Sequence, residues 1–151
     1  MTPTLVGRIQ TRIFLILVIG VPWTLIVSKF LPKTNGAPLG TLYKATFSTL
    51  AVVLVLGVVV WEPIYHALQQ YRWERDWPSV FALVTVVNEG ILAYFVTNAI
   101  GVLPGDGDLP VATFSTHILT TWVLMWLFVI GPIRVLIPRY RYRGGRILGG
   151  F

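Results

Sequence analysis

Chemistry in this chain would have to come from very few polar side chains: six acids, two histidines and no cysteine among 151 residues. Glu89 is the first candidate. It falls near the middle of an apolar stretch, with Thr85 and Asn88 on its side of a helix. An ionised carboxylate in hydrocarbon costs about 3 kcal/mol, so such a group must be protonated, paired or hydrated. Groups of this kind serve as proton or cation sites. The plainer reading is an interhelical hydrogen-bond cluster that fixes packing, with Asn88, Thr120 and Thr121 as partners and no base expected at that depth. His117 shares a face with Thr113, Thr120 and Thr121 and reads first as a hydrogen-bonded packing residue, second as a ligand.

Glu62 and His66 stand at i and i+4 around Pro63, so their side chains meet on one helix face. They fit a metal or proton pair at the inner membrane boundary, or an interfacial ion pair beside a proline kink. The sequence holds no nucleophile elbow, phosphate loop, H-E-x-x-H motif or paired catalytic carboxylates. Without cysteine, thiol redox chemistry, cysteine-ligated zinc and iron–sulfur clusters are excluded. Bis-histidine haem needs two histidines at one depth, whereas His66 and His117 fall near opposite faces of a hydrocarbon core about 30 Å thick. No catalytic residue, metal site or cofactor is therefore expected.

The elements that must carry these residues follow from composition. The chain is 55% hydrophobic and 12% charged, with mean hydropathy +0.73, whereas a soluble domain is about a quarter charged. So few charges cannot cover the apolar surface of a soluble enzyme, and a disordered tail or secreted disulfide scaffold is excluded too. Four stretches of about 20 residues qualify as membrane spans: about 13–31, 45–65, 80–103 and 111–133. Backbone groups in hydrocarbon must be satisfied internally, and runs such as Ala51 to Val60 do not alternate as a barrel strand would. The expectation is an all-α polytopic membrane protein, one integral domain over 1–151 with a basic tail at 134–151.

Orientation comes from the bases. Arg8, Arg12, Arg72, Arg75 and five arginines after the fourth stretch share one side, against Lys29, Lys33 and Lys44 on the other. The positive-inside rule then places both termini in the cytoplasm, in a plasma membrane of bacterial type. No A-x-A-like cleavage site follows the first stretch, so it reads as a retained helix. Trp23, Trp61, Trp73, Trp77, Tyr43, Tyr65 and Tyr71 cluster near the boundaries as interfacial anchors, and Trp122 and Trp126 lie deeper as packing residues.

A repeat organises the chain. Ala45-Thr46-Phe47-Ser48-Thr49 opens the second stretch, and Ala112-Thr113-Phe114-Ser115-Thr116 opens the fourth. Each ends in Pro-Ile, at Pro63-Ile64 and Pro132-Ile133, and Leu-Pro precedes each string. The pattern predicts two tandem parallel helical hairpins. Ala45, Ser48 and Thr49 form one small-residue face, as do Ala112, Ser115 and Thr116, and close approach of helices two and four is expected there.

The tail carries Arg134, Arg139, Arg141, Arg143 and Arg146 interleaved with Tyr140 and Tyr142. Beside a membrane helix this is first a contact for anionic lipid head groups, then for an acidic partner. Nucleic acid is not expected, since there is no folded reader. The functional expectation is a small non-enzymatic membrane subunit acting by assembly, as a homo-oligomer or an accessory or anchor subunit of a larger complex. The alternative is a proton- or ion-coupled channel or transporter with Glu89 on the path.

Overall fold

The computed structural model describes residues 4–32, 38–71, 78–103 and 108–148; Lys33, Asp106 and the segment 72–77 with its tryptophans and arginines lie outside them. Among the described residues all regular structure is helical, and four helices are long and apolar enough to cross a membrane: α1 Leu5–Val27, α2 Leu39–Gln70, α3 Ser79–Ala99 and α4 Val111–Leu136. A short α5, Pro138–Tyr142, follows.

Prolines set the starts. Pro38, Pro78 and Pro110 each cap the start of a helix, themselves extended with ψ of 150°, 139° and 132°. Two more prolines reshape helix interiors. Pro22 and Pro63 lack the N–H that would continue the ladder, and in both helices the turn before them widens. The Val21 N–H reaches Ile16 O and the Glu62 N–H reaches Gly57 O, each spanning five residues. These are π-turns, at Ile16–Gly20 and Gly57–Trp61.

Helix α1 starts at Leu5, not near residue 13, and α2 reaches Gln70, not residue 65. The Thr4 hydroxyl caps α1 by accepting the Gly7 N–H at 3.1 Å. Hydropathy treats Arg8 and Arg12 as the edge of a span. The helix carries them inside instead, because their charges are paired with carboxylates on other helices.

Consecutive helices lie side by side. The Ser28 and Thr46 hydroxyls, 2.8 Å apart, join the end of α1 to the start of α2. The Tyr94 and Phe114 rings meet edge to face at 5.1 Å between α3 and α4, and Thr24 with His117, at 2.9 Å, closes α4 back onto α1. The interior is rich in hydroxyls: Thr24, Thr46, Thr49, Thr97, Thr113 and Thr121 are all buried. Large apolar side chains such as Val55, Val59 and Phe95 point outward. An apolar exterior around a core that holds hydroxyls beside Leu50, Phe114 and Trp122 fits hydrocarbon surroundings, where small hydroxyl residues let helices close up.

The repeated strings share one role and differ in another. Thr46 and Thr113 are both buried against the end of α1, Thr46 on Ser28 and Thr113 donating to Pro32 O at 3.0 Å. Their small faces diverge. Ala45 and Thr49 are buried, whereas Ala112 and Thr116 are exposed and Ser115 is half-buried with its hydroxyl on Val111 O. Helix α2 packs chiefly on α3 and α1. The expected α2–α4 contact through these faces is corrected accordingly, because α4 turns its larger polar groups, His117 and Thr121, inward to find partners.

The tail folds back. The Thr4 N–H donates to Gly144 O at 2.9 Å, the Thr11 hydroxyl to Gly145 O at 3.0 Å, and the Ile147 N–H to Gln10 Oε1 at 3.1 Å. Both described ends of the chain therefore meet at one end of the bundle. Gly7 makes this possible, since a Cβ there would overlap the Gly144 carbonyl. Gly144 and Gly145 turn the backbone with φ of +59° and +80°.

Candidate functional site

The site is built from four charged residues on three helices. Arg8 and Arg12 lie one turn apart on α1, Glu62 follows the π-turn of α2, and Glu89 lies on α3. Arg12 is the hub. Its Nη1 and Nη2 donate to the two Glu89 oxygens at 2.7 and 2.9 Å, and its Nε donates to Glu62 Oε1 at 2.7 Å. Arg8 Nε donates to the other Glu62 oxygen at 2.6 Å. The guanidinium fork matches a carboxylate in two bonds, which a lysine ammonium cannot do.

All four side chains are largely withdrawn from solvent, with Glu89 2% exposed, Glu62 7%, Arg12 12% and Arg8 19%. With two cations against two anions, the cluster carries no net charge into the bundle. This cancellation makes buried ions tolerable in a span, because isolated ones cost several kcal/mol each (~3 on insertion scales). Aromatic faces complete the shell: the Arg12 guanidinium lies 5.7 Å from the Trp122 ring centre, and that of Arg8 5.7 Å from Tyr65. Asn88 donates to the Tyr65 hydroxyl at 2.7 Å.

Local sequence explains the placement. Gly57 sits where the Arg12 side chain crosses α2, and a Cβ there would overlap its Nη1, Cδ and Cζ. Pro63 forces the π-turn that begins at this glycine and ends just before Glu62. Arg12, Glu62 and Glu89 lie about 10–15 Å along the helices from the end carrying both termini and Arg8 about 5 Å, at 1.5 Å per residue.

Several expectations change here. Glu89 has a base at its own depth, Arg12, rather than Asn88, Thr120 and Thr121 as partners. Arg8 and Arg12, counted above as topology charges, are site residues. Glu62 pairs with these arginines and not with His66, whose Nε2 sits 3.5 Å from Gln70 Nε2. Thr85 bonds Ala82 O on its own helix. His117, Thr120 and Thr121 form a separate cluster farther along: His117 with Thr24, Thr120 accepting from Trp23 Nε1 at 3.0 Å, and Thr121 donating to His117 O. One signal in the sequence pointed to the arginines. Arg8 and Arg12 are i, i+4 neighbours preceding an apolar run, and two acids elsewhere in the spans needed two bases.

A cavity of about 620 Å³ opens beside the cluster, between α1, the start of α3, the end of α4 and the tail. Arg8, Arg12 and Glu62 form one wall, and Trp122, Trp126 and Met125 the apolar floor. The indole N–H groups of Trp122 and Trp126 are anchored on Ala82 O and Ser79 O, each at 2.9 Å. Among the described residues no group of three or more His, Asp or Glu could hold a metal ion.

Compared with known proteins, the chain matches no protein-family model, no curated protein and no solved structure.

Proposed function

We propose that the protein is a small non-enzymatic membrane subunit that works by assembly, with further copies of itself or within a larger membrane complex. In this reading the spans form two tandem parallel hairpins with both termini cytoplasmic, in a plasma membrane of bacterial type. The seven arginines remaining after Arg8 and Arg12 are set aside still outnumber the three lysines of the other side.

One observation carries the assembly reading. The small-residue face of the repeated string is covered on α2, where Ala45 and Thr49 are buried, and open on α4, where Ala112 and Thr116 are exposed although Thr113 and Phe114 of the same string are buried. A face built for close helix approach is thus open to a partner helix. Saturation of Glu89 and Glu62 by arginines of the same chain adds to this, since it gives those charges a structural task. Mass measured in nanodiscs tests it. An oligomer that dissociates in the Ala112→Leu, Thr116→Leu double variant supports the reading, and a stable, partnerless wild-type monomer removes it.

A second reading rests on the cavity, which brings open space to Arg12 and Glu62. A proton- or ion-coupled transporter would use that approach, with Glu89 behind it. Glu89→Gln should then assemble normally yet abolish pH-dependent flux in liposomes. Wild-type protein that gives no flux above empty liposomes under proton and cation gradients eliminates this reading.

A further inference from the structure

We propose that the cavity beside the charge cluster is a binding site for one anionic phospholipid, its phosphate held between Arg134 and Arg141 and one acyl chain lying on the Trp122–Trp126 floor. The proposal rests on the chain spanning a membrane, not on its acting by assembly.

Charge accounts for the head-group end. Four arginines line the cavity: Arg8, Arg12, Arg134 and Arg141. Arg8 and Arg12 are already neutralised by Glu62 and Glu89. Arg134 and Arg141 have no carboxylate partner among the described residues, so the cavity keeps an excess of positive charge at its tail end. Tyr140 lies between them in sequence and also lines the cavity, with Arg134 and Arg8 among the charges acting on its hydroxyl. Burial holds that phenol above the ordinary tyrosine range, although the two arginines pull the other way. It therefore stays a neutral O–H donor, suited to a phosphate oxygen.

Shape accounts for the rest. The rest of the lining is mainly apolar, with Phe81, Ala82, Met125 and Val129 joining the two tryptophans. A free phosphate would leave this part empty, and a zwitterionic lipid would bring its own cation to a site already holding the unpaired charge of two arginines. A ligand with an anionic head and an apolar body satisfies both. The head also falls where the spans give way to the basic tail, the level at which lipid phosphates lie.

The test uses full-length protein in mild detergent, with retained lipid counted by native mass spectrometry after adding phosphatidylglycerol or phosphatidylcholine. One phosphatidylglycerol should remain per chain, and phosphatidylcholine should not. Each arginine near a membrane surface is worth about fivefold in binding, so Arg134→Gln with Arg141→Gln should weaken retention about 30-fold. Arg141→Gln alone guards against misfolding, because it changes an exposed side chain beyond the spans and should still cost about fivefold. Arg139→Gln and Arg143→Gln, which do not line the cavity, should retain the lipid as wild type does. Equal retention of phosphatidylcholine, or of phosphatidylglycerol by the double variant, overturns the site. So does displacement of the lipid by inorganic phosphate at comparable concentration, which would show that the apolar floor contributes nothing.

Discussion

Arg12→Gln is the most informative perturbation of this molecule. Arg12 donates three hydrogen bonds to two carboxylates, and the Glu89 it covers is 2% exposed. Removing the guanidinium leaves Glu62 with Arg8 but leaves Glu89 buried with no cation. Breaking a buried pair from one side costs about 3–5 kcal/mol, or between about two and four decades in the unfolding constant. Arg8→Gln is the internal comparison. Arg8 makes one bond, is 19% exposed, and leaves Glu62 still paired with Arg12, so about 1 kcal/mol is expected. Reversible unfolding of the purified protein, titrated with a denaturing detergent and followed by circular dichroism, measures both. The double variant Arg12→Gln, Glu89→Gln removes both charges of that pair and should recover at least about 1 kcal/mol relative to the sum of the singles. If Arg12→Gln costs no more than Arg8→Gln, or the singles simply add, the closed charge cluster does not hold the bundle together.

Three further outcomes follow from packing and titration. Gly57→Ala places a methyl group where the Arg12 guanidinium lies, pinned by its three bonds. It should cost about 1–3 kcal/mol in wild type and far less in the Arg12→Gln background, and equal costs in both would refute the contact. Gly7→Ala should lift the tail from α1, read as faster amide exchange at Thr4 and Ile147, whose N–H groups bond across that contact; unchanged exchange would show that the tail does not depend on it. Burial raises the Tyr140 pKa, so the folded tail binds that proton more tightly than the unfolded one does. Tail docking should therefore hold below the ordinary tyrosine value of about 10 and weaken as pH climbs past it, and Tyr140→Phe should abolish this dependence. A loosening that persists in Tyr140→Phe assigns the effect to another group.

Composition and periodicity determined the class. Apolar runs of span length allow only helices in hydrocarbon, and that argument needs no tertiary information, so four membrane-length helices were legible from α1 to α4. Their ends were less so, because a hydropathy scale assigns each residue a fixed cost. An arginine paired bidentately on another helix is much less costly than an isolated one, and α1 therefore runs on through Arg12 and Arg8 to Leu5. The same limit hid the site. Glu89 stood out as a buried carboxylate, but its partner lies 77 positions away. Sequence spacing finds neighbours within a helix, as it did for Glu62 and His66, and says nothing of neighbours across a bundle. Those two residues are adjacent on α2, yet Glu62 turns to the arginines of α1, because two guanidinium groups in a low-dielectric interior outcompete an imidazole at the boundary. Likewise the repeated string showed two faces fit for close packing. Only the fold decided that one is filled within the chain and the other is open, since a helix can satisfy its buried polar groups on one side at a time and α4 gave that side to His117 and Thr121.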